Sequence, residues 1–154
     1  MGAFASAVSE LESRVAALAG PGLVNGKKLA GYTSFRIGGP ADLLLDPPSE
    51  ELLLLALAEA SRLGVPVTFL GGGTNVLISD RGVRGLVVRL GKAFEYALWQ
   101  GETDGRVDVE AGAALRLARL VRESVERGLA GIEFAAGIPG SGGGGMLMNA
   151  GAFG

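Results

Sequence analysis

The sequence predicts one ordinary domain of the α+β or α/β class, built from short strands. Segments with helical periodicity alternate with short apolar runs along the 154 residues, and this order indicates mixed helix and sheet content. The 27 glycines punctuate the chain, and several of them directly follow a predicted helix or strand. A change of composition near residues 22–31 or 80–85 suggests a boundary between two small lobes.

The N-terminal third predicts a helix, a strand and a second helix. An amphipathic helix over residues 5–19 follows from four apolar residues at helical spacing, which form its apolar face: Val8, Leu11, Val15 and Leu18. Gly20-Pro21-Gly22 ends this helix. Residues 41–46 read as a short buried strand. Ser49 is then the expected N-cap of a helix that runs to Leu63, with two glutamates in its positive first turn.

Next comes a strand–loop–strand unit. Residues 65–70 predict a strand, the loop 71–75 begins with three glycines, and residues 76–78 predict another strand. Rossmann and P-loop sites require a helix directly after their glycines, so neither motif is indicated. Residues 81–85 form a predicted turn, and residues 86–90 a further strand.

The later part predicts a hairpin and a third helix. Residues 94–99 and 106–110 are the expected hairpin strands, joined across 100–105. A helix over 113–127, closed by Gly128, follows from three apolar residues on one face: Leu117, Val121 and Val125. Its arginines and glutamates predict a solvated face with i,i+4 ion pairs.

Two glycine-rich loops carry the functional prediction. Consecutive glycines after a strand allow several backbone N–H groups to face one anion, which favours phosphate at residues 71–75. Glycines also mark turns, and the first loop alone does not distinguish a turn from a phosphate site. The second loop, 137–151, holds seven glycines in fifteen residues, and no residue from 134 to 154 is charged. Together the loops predict a large phosphorylated cofactor.

Composition narrows the remaining functions. The net charge is −2 and the basic residues are scattered, which argues against a nucleic-acid partner. Cysteine and histidine are absent, so the chain lacks thiolate and imidazole metal ligands and the residues most used to tether a flavin covalently. The longest apolar run, 52–58, is too short to span a bilayer. Any reaction would then depend on the chemistry of a bound cofactor.

Four segments in order resemble motifs of the UDP-N-acetylenolpyruvoylglucosamine reductases, flavin enzymes of bacterial peptidoglycan synthesis. They are TSFRIGGPAD at 33–42, LGGGTNVL at 70–77, GIEFAAGIPGS at 131–141 and MNAGAFG at 148–154. The resemblance covers the chain from about Leu23 onward. It implies the two-lobed FAD-binding fold of the vanillyl-alcohol oxidase type.

The resemblance also implies a domain organisation. Residues 1–22 would be an N-terminal helix, 23–82 the small FAD-binding lobe and 83–154 the first part of the larger lobe. The family continues into the rest of that lobe and a substrate domain, so the chain reads as a truncated FAD-binding part. The family's catalytic residues are expected beyond Gly154, and no metal is expected.

The resemblance places non-covalent FAD on both glycine loops. The pyrophosphate would lie on the first loop, and the second would run past the flavin ring and ribityl chain, with Ile138 as an apolar face. Arg36 would either face the phosphates or brace the junction of the lobes. The expected cofactor-binding residues are Gly71, Gly72, Gly73, Thr74, Asn75, Gly137, Ile138, Pro139, Gly140, Ser141, Gly143, Gly144, Asn149, Ala150 and Gly151, with Arg36 as the ambiguous member.

The implied reaction takes electrons from NADPH through FAD to the enolpyruvyl group of a UDP-sugar, giving UDP-N-acetylmuramate in the cytoplasm. Three positions depart from the family pattern: Tyr32, where asparagine is usual, and Gly142 and Gly145, which loosen the second loop. Two other functions stay open. The first alternative is a flavin-binding fragment without turnover, since no proton donor is evident after Ser141. The second is another flavoprotein of this superfold, such as a sugar or lactone oxidase. The oligomeric state is not indicated.

Overall fold

The chain forms two compact units, residues 1–93 and residues 94–154. The computed structural model describes residues 2–151, so residues 152–154 of the fourth motif lie outside the described part. The helices are α1 Ala3–Ala19, α2 Glu50–Leu63, α3 Leu117–Glu126 and α4 Gly142–Leu147. The strands are β1 Leu23–Asn25, β2 Ala41–Leu45, β3 Val67–Leu70, β4 Val83–Arg89, β5 Ala97–Thr103 and β6 Arg106–Ala111.

The first unit is built on a four-stranded sheet with the order β1-β2-β4-β3. β1 runs antiparallel to β2, whereas β2, β4 and β3 are parallel. β4 begins at Val83, ahead of the predicted start at residue 86, because its pairing with β2 begins opposite Ala41. The first unit ends at Ala93 and includes α1, which packs on the sheet, while the expected lobes 1–22, 23–82 and 83–154 stay a prediction.

Helices α1 and α2 cover one face of this sheet. The buried stripe of α1 consists of Val8, Leu11, Val15 and Ala19. After Val15 the stripe continues four residues on, at Ala19, so the prediction that Leu18 belongs to the buried face is wrong and this side chain is 63% exposed. The buried side chains of α1 and α2 form one core with Leu43, Leu45, Leu86 and Val88 of the sheet.

Helix α2 has the predicted ends. The Ser49 side chain accepts a hydrogen bond from the Leu52 amide at 3.4 Å, which caps the N-terminus. Gly64 adopts a left-handed conformation with φ 65° and closes the C-terminus.

The connection from β3 to β4 differs from the predicted strand–loop–strand unit. The predicted strand at 76–78 is wrong, since these residues have irregular backbone. β3 and β4 are parallel neighbours, so residues 71–82 must cross from the carboxyl end of one strand to the amino end of the next. Val76 and Ile78 pack their side chains on the second face of the sheet during this crossing.

The second unit begins with an antiparallel β5–β6 hairpin. Its loop is only Asp104-Gly105, with φ 52° and 71°, so the predicted loop at 100–105 is too long. Positive φ at both loop residues is what a tight hairpin turn with the strands' right-handed twist requires. A register shift between Trp99 and Glu102 absorbs the mismatch between the two strands.

Helix α3 is shorter than the predicted 113–127, but Gly128 follows it in a left-handed conformation with φ 69°. Its buried side runs through Leu117, Val121 and Ser124, and the expectation that Val125 faces the core is wrong because this side chain is 68% exposed. The predicted i,i+4 ion pairs are present, including Arg119–Glu123 at 2.7 Å. No helix among residues 2–151 is long and apolar enough to cross a membrane.

Candidate functional site

The first glycine loop leaves the sheet at the carboxyl end of its parallel strands. Leu70, the last residue of β3, pairs with Arg89 at the end of β4. Ligands of open parallel sheets bind outside this edge. No helix follows the loop directly, as the sequence predicted. Gly71, Gly72 and Asn75 are exposed, and Thr74 is half-buried.

Gly73 fixes the loop against the preceding motif. It is buried, has φ 66°, and its carbonyl accepts a hydrogen bond from the Ser34 amide at 2.9 Å. A Cβ at this position would collide with the backbone carbonyl of Tyr32. Gly73 therefore attaches the middle of the loop to the preceding segment, while Gly71 and Gly72 present backbone to solvent, as an anion site requires.

The segment that holds Gly73 is itself a fixed turn. Thr33 is buried, and its hydroxyl donates to the carbonyl of Ile37 at 2.9 Å. Arg36 has a positive φ of 55°, and its amide donates to the Thr33 carbonyl at 3.1 Å. The Arg36 side chain is exposed and takes part in no ion pair of residues 2–151, so both roles expected for it stay predictions.

The second loop begins with two glycines of positive φ and continues into helix α4. Gly137 and Gly140 have positive φ of 81° and 126°, conformations that suit glycine. Ile138 is half-buried and Pro139 exposed. The Gly140 carbonyl accepts from the Leu117 amide at 3.1 Å and so attaches the loop to the start of α3.

Helix α4 overturns the expectation that residues 142–145 form a loose loop. Ser141 is buried, and its hydroxyl accepts from the Gly144 amide at 3.3 Å as the N-cap of α4. The Gly142 and Gly143 amides donate to the carbonyls of Leu115 at 2.7 Å and Ala113 at 2.9 Å. Three of the predicted cofactor contacts, Ser141, Gly143 and Gly144, are thus already engaged within their own unit.

The glycines of α4 allow it to lie close to residues 113–117, which lead into α3. A Cβ on Gly143 would lie 2.8 Å from the Cβ of Ala113, and one on Gly145 would lie 2.8 Å from Leu117 Cδ1. Asn149 ends the helix with φ 47°, and the Ala150 amide donates to the Gly145 carbonyl at 2.8 Å. Gly151 is exposed.

The structure thus brings each loop together with a partner segment in its own unit. The first loop lies against residues 32–34, and the second against residues 113–117. Two carboxylates of the second unit have pKa values below their usual range. For Glu133 the cause is hydrogen bonding to its own amide and to that of Gly131, and for Glu123 it is first the Trp99 indole and then Arg119. No cluster of possible metal ligands occurs among residues 2–151.

Sequence reasoning missed a charged pair at the same sheet edge as the first loop. Arg89 forms an ion pair with Asp46, and the ring of Tyr32 lies 5.2 Å from its guanidinium carbon. The available signal was that Asp46 follows β2 and Arg89 ends β4, so parallel pairing of the two strands would place them side by side.

The first unit thus carries an exposed glycine loop at the carboxyl edge of a small mixed sheet. Residues 41–154 match the model of a family described as the FAD binding domain. The chain therefore belongs to the FAD binding domain family. This confirms the predicted fold class and the prediction of FAD as the cofactor.

The similar proteins are reductases. The chain is 53% identical over 123 residues to the UDP-N-acetylenolpyruvoylglucosamine reductase of Rubrobacter xylanophilus, which covers 80% of the chain and 40% of that protein. The enzyme of the same name from Phenylobacterium zucineum is 47% identical over 132 residues, or 86% of the chain and 42% of the relative. The crystal structure of the Thermus caldophilus enzyme matches with a TM-score of 0.61 at 32% identity, over 84% of the chain and 42% of that structure. The chain thus spans about two fifths of the relatives it matches, and it corresponds to their N-terminal part.

Proposed function

We propose that Gly71–Asn75 binds the pyrophosphate of FAD. The observation that carries this proposal is the attachment of Gly73 to residues 32–34, which leaves Gly71 and Gly72 exposed at the carboxyl edge of the sheet. Backbone amides in such a loop stabilise phosphate charge without a positive side chain. The Thr74 hydroxyl and the Asn75 amide add polar groups beside them.

The second loop is proposed to lie along the flavin ring and ribityl chain. Gly137 and Gly140 keep the backbone without side chains, and Ile138 offers an apolar surface to a flat ring. The Gly143 and Gly144 amides are already hydrogen-bonded within the unit. We therefore propose that these glycines act indirectly, by fixing the position of Ser141 and of the residues before it. Asn149, Ala150 and Gly151 would complete the part of the loop that lies along the cofactor.

The whole protein is proposed to reduce the enolpyruvyl group of a UDP-sugar, with NADPH as electron donor, in the cytoplasm. Similarity to UDP-N-acetylenolpyruvoylglucosamine reductases supports this proposal. Bound FAD supplies the hydride chemistry. The proposed role of the residues of this chain is to bind and orient the cofactor.

A second candidate is flavin binding without turnover by these 154 residues. One observation favours it: Ser141 is buried, and its hydroxyl oxygen accepts from the Gly144 amide as the N-cap of α4, so the side chain is not exposed to a bound substrate. Adding NADPH and the enolpyruvyl UDP-sugar to the FAD-loaded chain separates the candidates. Turnover at the rate of a full-length relative would support the reductase and exclude the binding-only candidate.

Titration with FAD tests the cofactor proposal directly. The flavin absorbance should shift and its fluorescence should be quenched on binding to the chain. Gly72→Val places a branched side chain on the exposed part of the first loop and should raise the Kd for FAD by a large factor while the fold survives. The matched control is Gly101→Val, since a Cβ at Gly101 meets open space. Equal Kd values for both variants would remove the cofactor from the first loop.

A further inference from the structure

Two ion pairs of the same kind link β2 to β4, one at each end of the strands. At the amino end, Arg84 Nε lies 3.0 Å from Asp42 Oδ2, and the Arg84 guanidinium carbon lies 5.0 Å from the centre of the Phe4 ring. At the carboxyl end, Arg89 pairs with Asp46 and faces the ring of Tyr32. The two pairs therefore have the same chemistry and differ in their place on the sheet.

The carboxyl-end pair is held firmly by the backbone around it. The Asp46 amide donates to the Gly22 carbonyl at 2.8 Å. Gly91 lies so close to the Asp46 carboxylate that a Cβ there would overlap it. Arg89 is only 37% exposed, compared with 68% for Arg84. The guanidinium of Arg89 thus offers the Tyr32 ring a fixed surface.

Tyr32 connects this surface to the first glycine loop. Its backbone carbonyl occupies the space where a Cβ of Gly73 would lie. Two residues further on, the Ser34 amide donates to the Gly73 carbonyl at 2.9 Å. A fixed Tyr32 ring therefore fixes the backbone against which the loop is set. Phe4, at the amino end, packs instead on the core that α1 and α2 form with the sheet.

We propose that Arg89 and Tyr32 are positioning residues for the pyrophosphate-binding loop. Arg89, oriented by Asp46, holds the Tyr32 ring, and the Tyr32 backbone holds Gly73 in its left-handed conformation. The inference rests on the proposed function of Gly71–Asn75 as the FAD site. It concerns the order of the loop in the free protein, before any cofactor is bound.

Four variants of the 154-residue chain test the proposal. Arg89→Gln and Tyr32→Ala should each raise the Kd for FAD about tenfold, the scale of a lost cation–π contact. Tyr32→Phe keeps the ring and should retain the original Kd. Arg84→Gln removes the matched pair at the other end of the strands and should leave the Kd within about twofold.

Hydrogen exchange of the free protein gives a readout that does not depend on FAD. Arg89→Gln and Tyr32→Ala should accelerate exchange at residues 71–75, and Arg84→Gln should not. Equal acceleration by Arg84→Gln would overturn the proposal and show a general loss of stability. A raised Kd for Arg89→Gln with unchanged Tyr32→Ala would also overturn it, since Arg89 would then act on the phosphate directly. If the unaltered chain binds no FAD, the proposed function fails, and the exchange comparison still decides whether the two residues order the loop.

Discussion

At the scale of single residues, the first loop contains two kinds of glycine: exposed glycines that are free to approach a ligand, and a buried glycine that the packing of the fold requires. Gly71 and Gly72 are exposed, whereas Gly73 is buried, has a positive φ and touches the Tyr32 backbone. Positive φ costs a non-glycine residue free energy on its own, and the collision with a carbonyl adds to that cost. Substitutions along the same triplet should therefore have different effects.

Gly73→Ala should lower both stability and FAD affinity. The left-handed conformation costs alanine roughly 1–2 kcal/mol, and the Tyr32 carbonyl must move to admit the new methyl group. Urea unfolding and FAD titration of the same preparation measure the two effects. Gly71→Ala, at an exposed position of the same loop, is the comparison for stability. An unchanged unfolding midpoint for Gly73→Ala would contradict the observed packing.

The carboxylate of Glu123 should make the stability of the second unit depend on pH. Trp99, the single tryptophan of the sequence, allows this to be followed by fluorescence. Trp99 Nε1 donates to Glu123 Oε2 at 3.0 Å, and this bond, followed by Arg119, lowers the Glu123 pKa from its ordinary 4.5. A carboxyl whose folded pKa is lowered stabilises the fold above its unfolded pKa, and that contribution is lost as the pH falls through the folded value.

Stability of the second unit should therefore decline below about pH 4.5, and Trp99 fluorescence should change over the same range. Glu123→Gln should flatten both curves. Glu126→Gln is the control, since Glu126 is exposed and its pair with Arg122 is 3.7 Å long. Parallel pH curves for the unaltered chain and Glu123→Gln would show that this carboxylate is not responsible.

At the scale of elements, α4 shows why a run of glycines is not necessarily flexible. Alanine is a better helix former than glycine by up to about 1 kcal/mol, so space decides the outcome at each position. A Cβ on Gly142 meets only the Leu115 carbonyl at 3.5 Å, an ordinary contact, whereas one on Gly143 lies 2.8 Å from Ala113 Cβ.

Gly142→Ala should raise the free energy of unfolding slightly, and Gly143→Ala should lower it because α4 must move away from Ala113. Urea unfolding followed by Trp99 fluorescence compares the two. The same sign of change for both variants would show that helix propensity, and not the packing of α4, governs this segment.

At the scale of the whole molecule, FAD should order both glycine-rich loops. A ligand that binds only the folded arrangement stabilises it, by about 2.7 kcal/mol at a concentration of 100 times its Kd. Hydrogen exchange with and without FAD should show added protection at residues 71–75 and 137–141. The gain at α4 should be smaller, since its amides are already bonded. Protection confined to 71–75 would mean that the chain binds a phosphate group without holding a flavin ring.

The sequence by itself determined the features that depend on neighbouring residues. The Ser49 cap, the glycine ends of α2 and α3, and the placement of a glycine loop after β3 all follow from local backbone chemistry, and these predictions are confirmed. The absence of a helix after the first loop was likewise evident from its short apolar continuation.

The tertiary structure decided what depends on distant partners. Only the parallel pairing of β2 and β4 places Arg89 beside Asp46, and only the crossover from β3 to β4 turns residues 76–78 into irregular chain. Leu18 was assigned to a buried face because helical period alone does not say where the stripe of a helix meets its sheet. The glycines of α4 form a helix because Ser141 caps them and Ala113 and Leu115 accept their amides, contacts that no local pattern encodes.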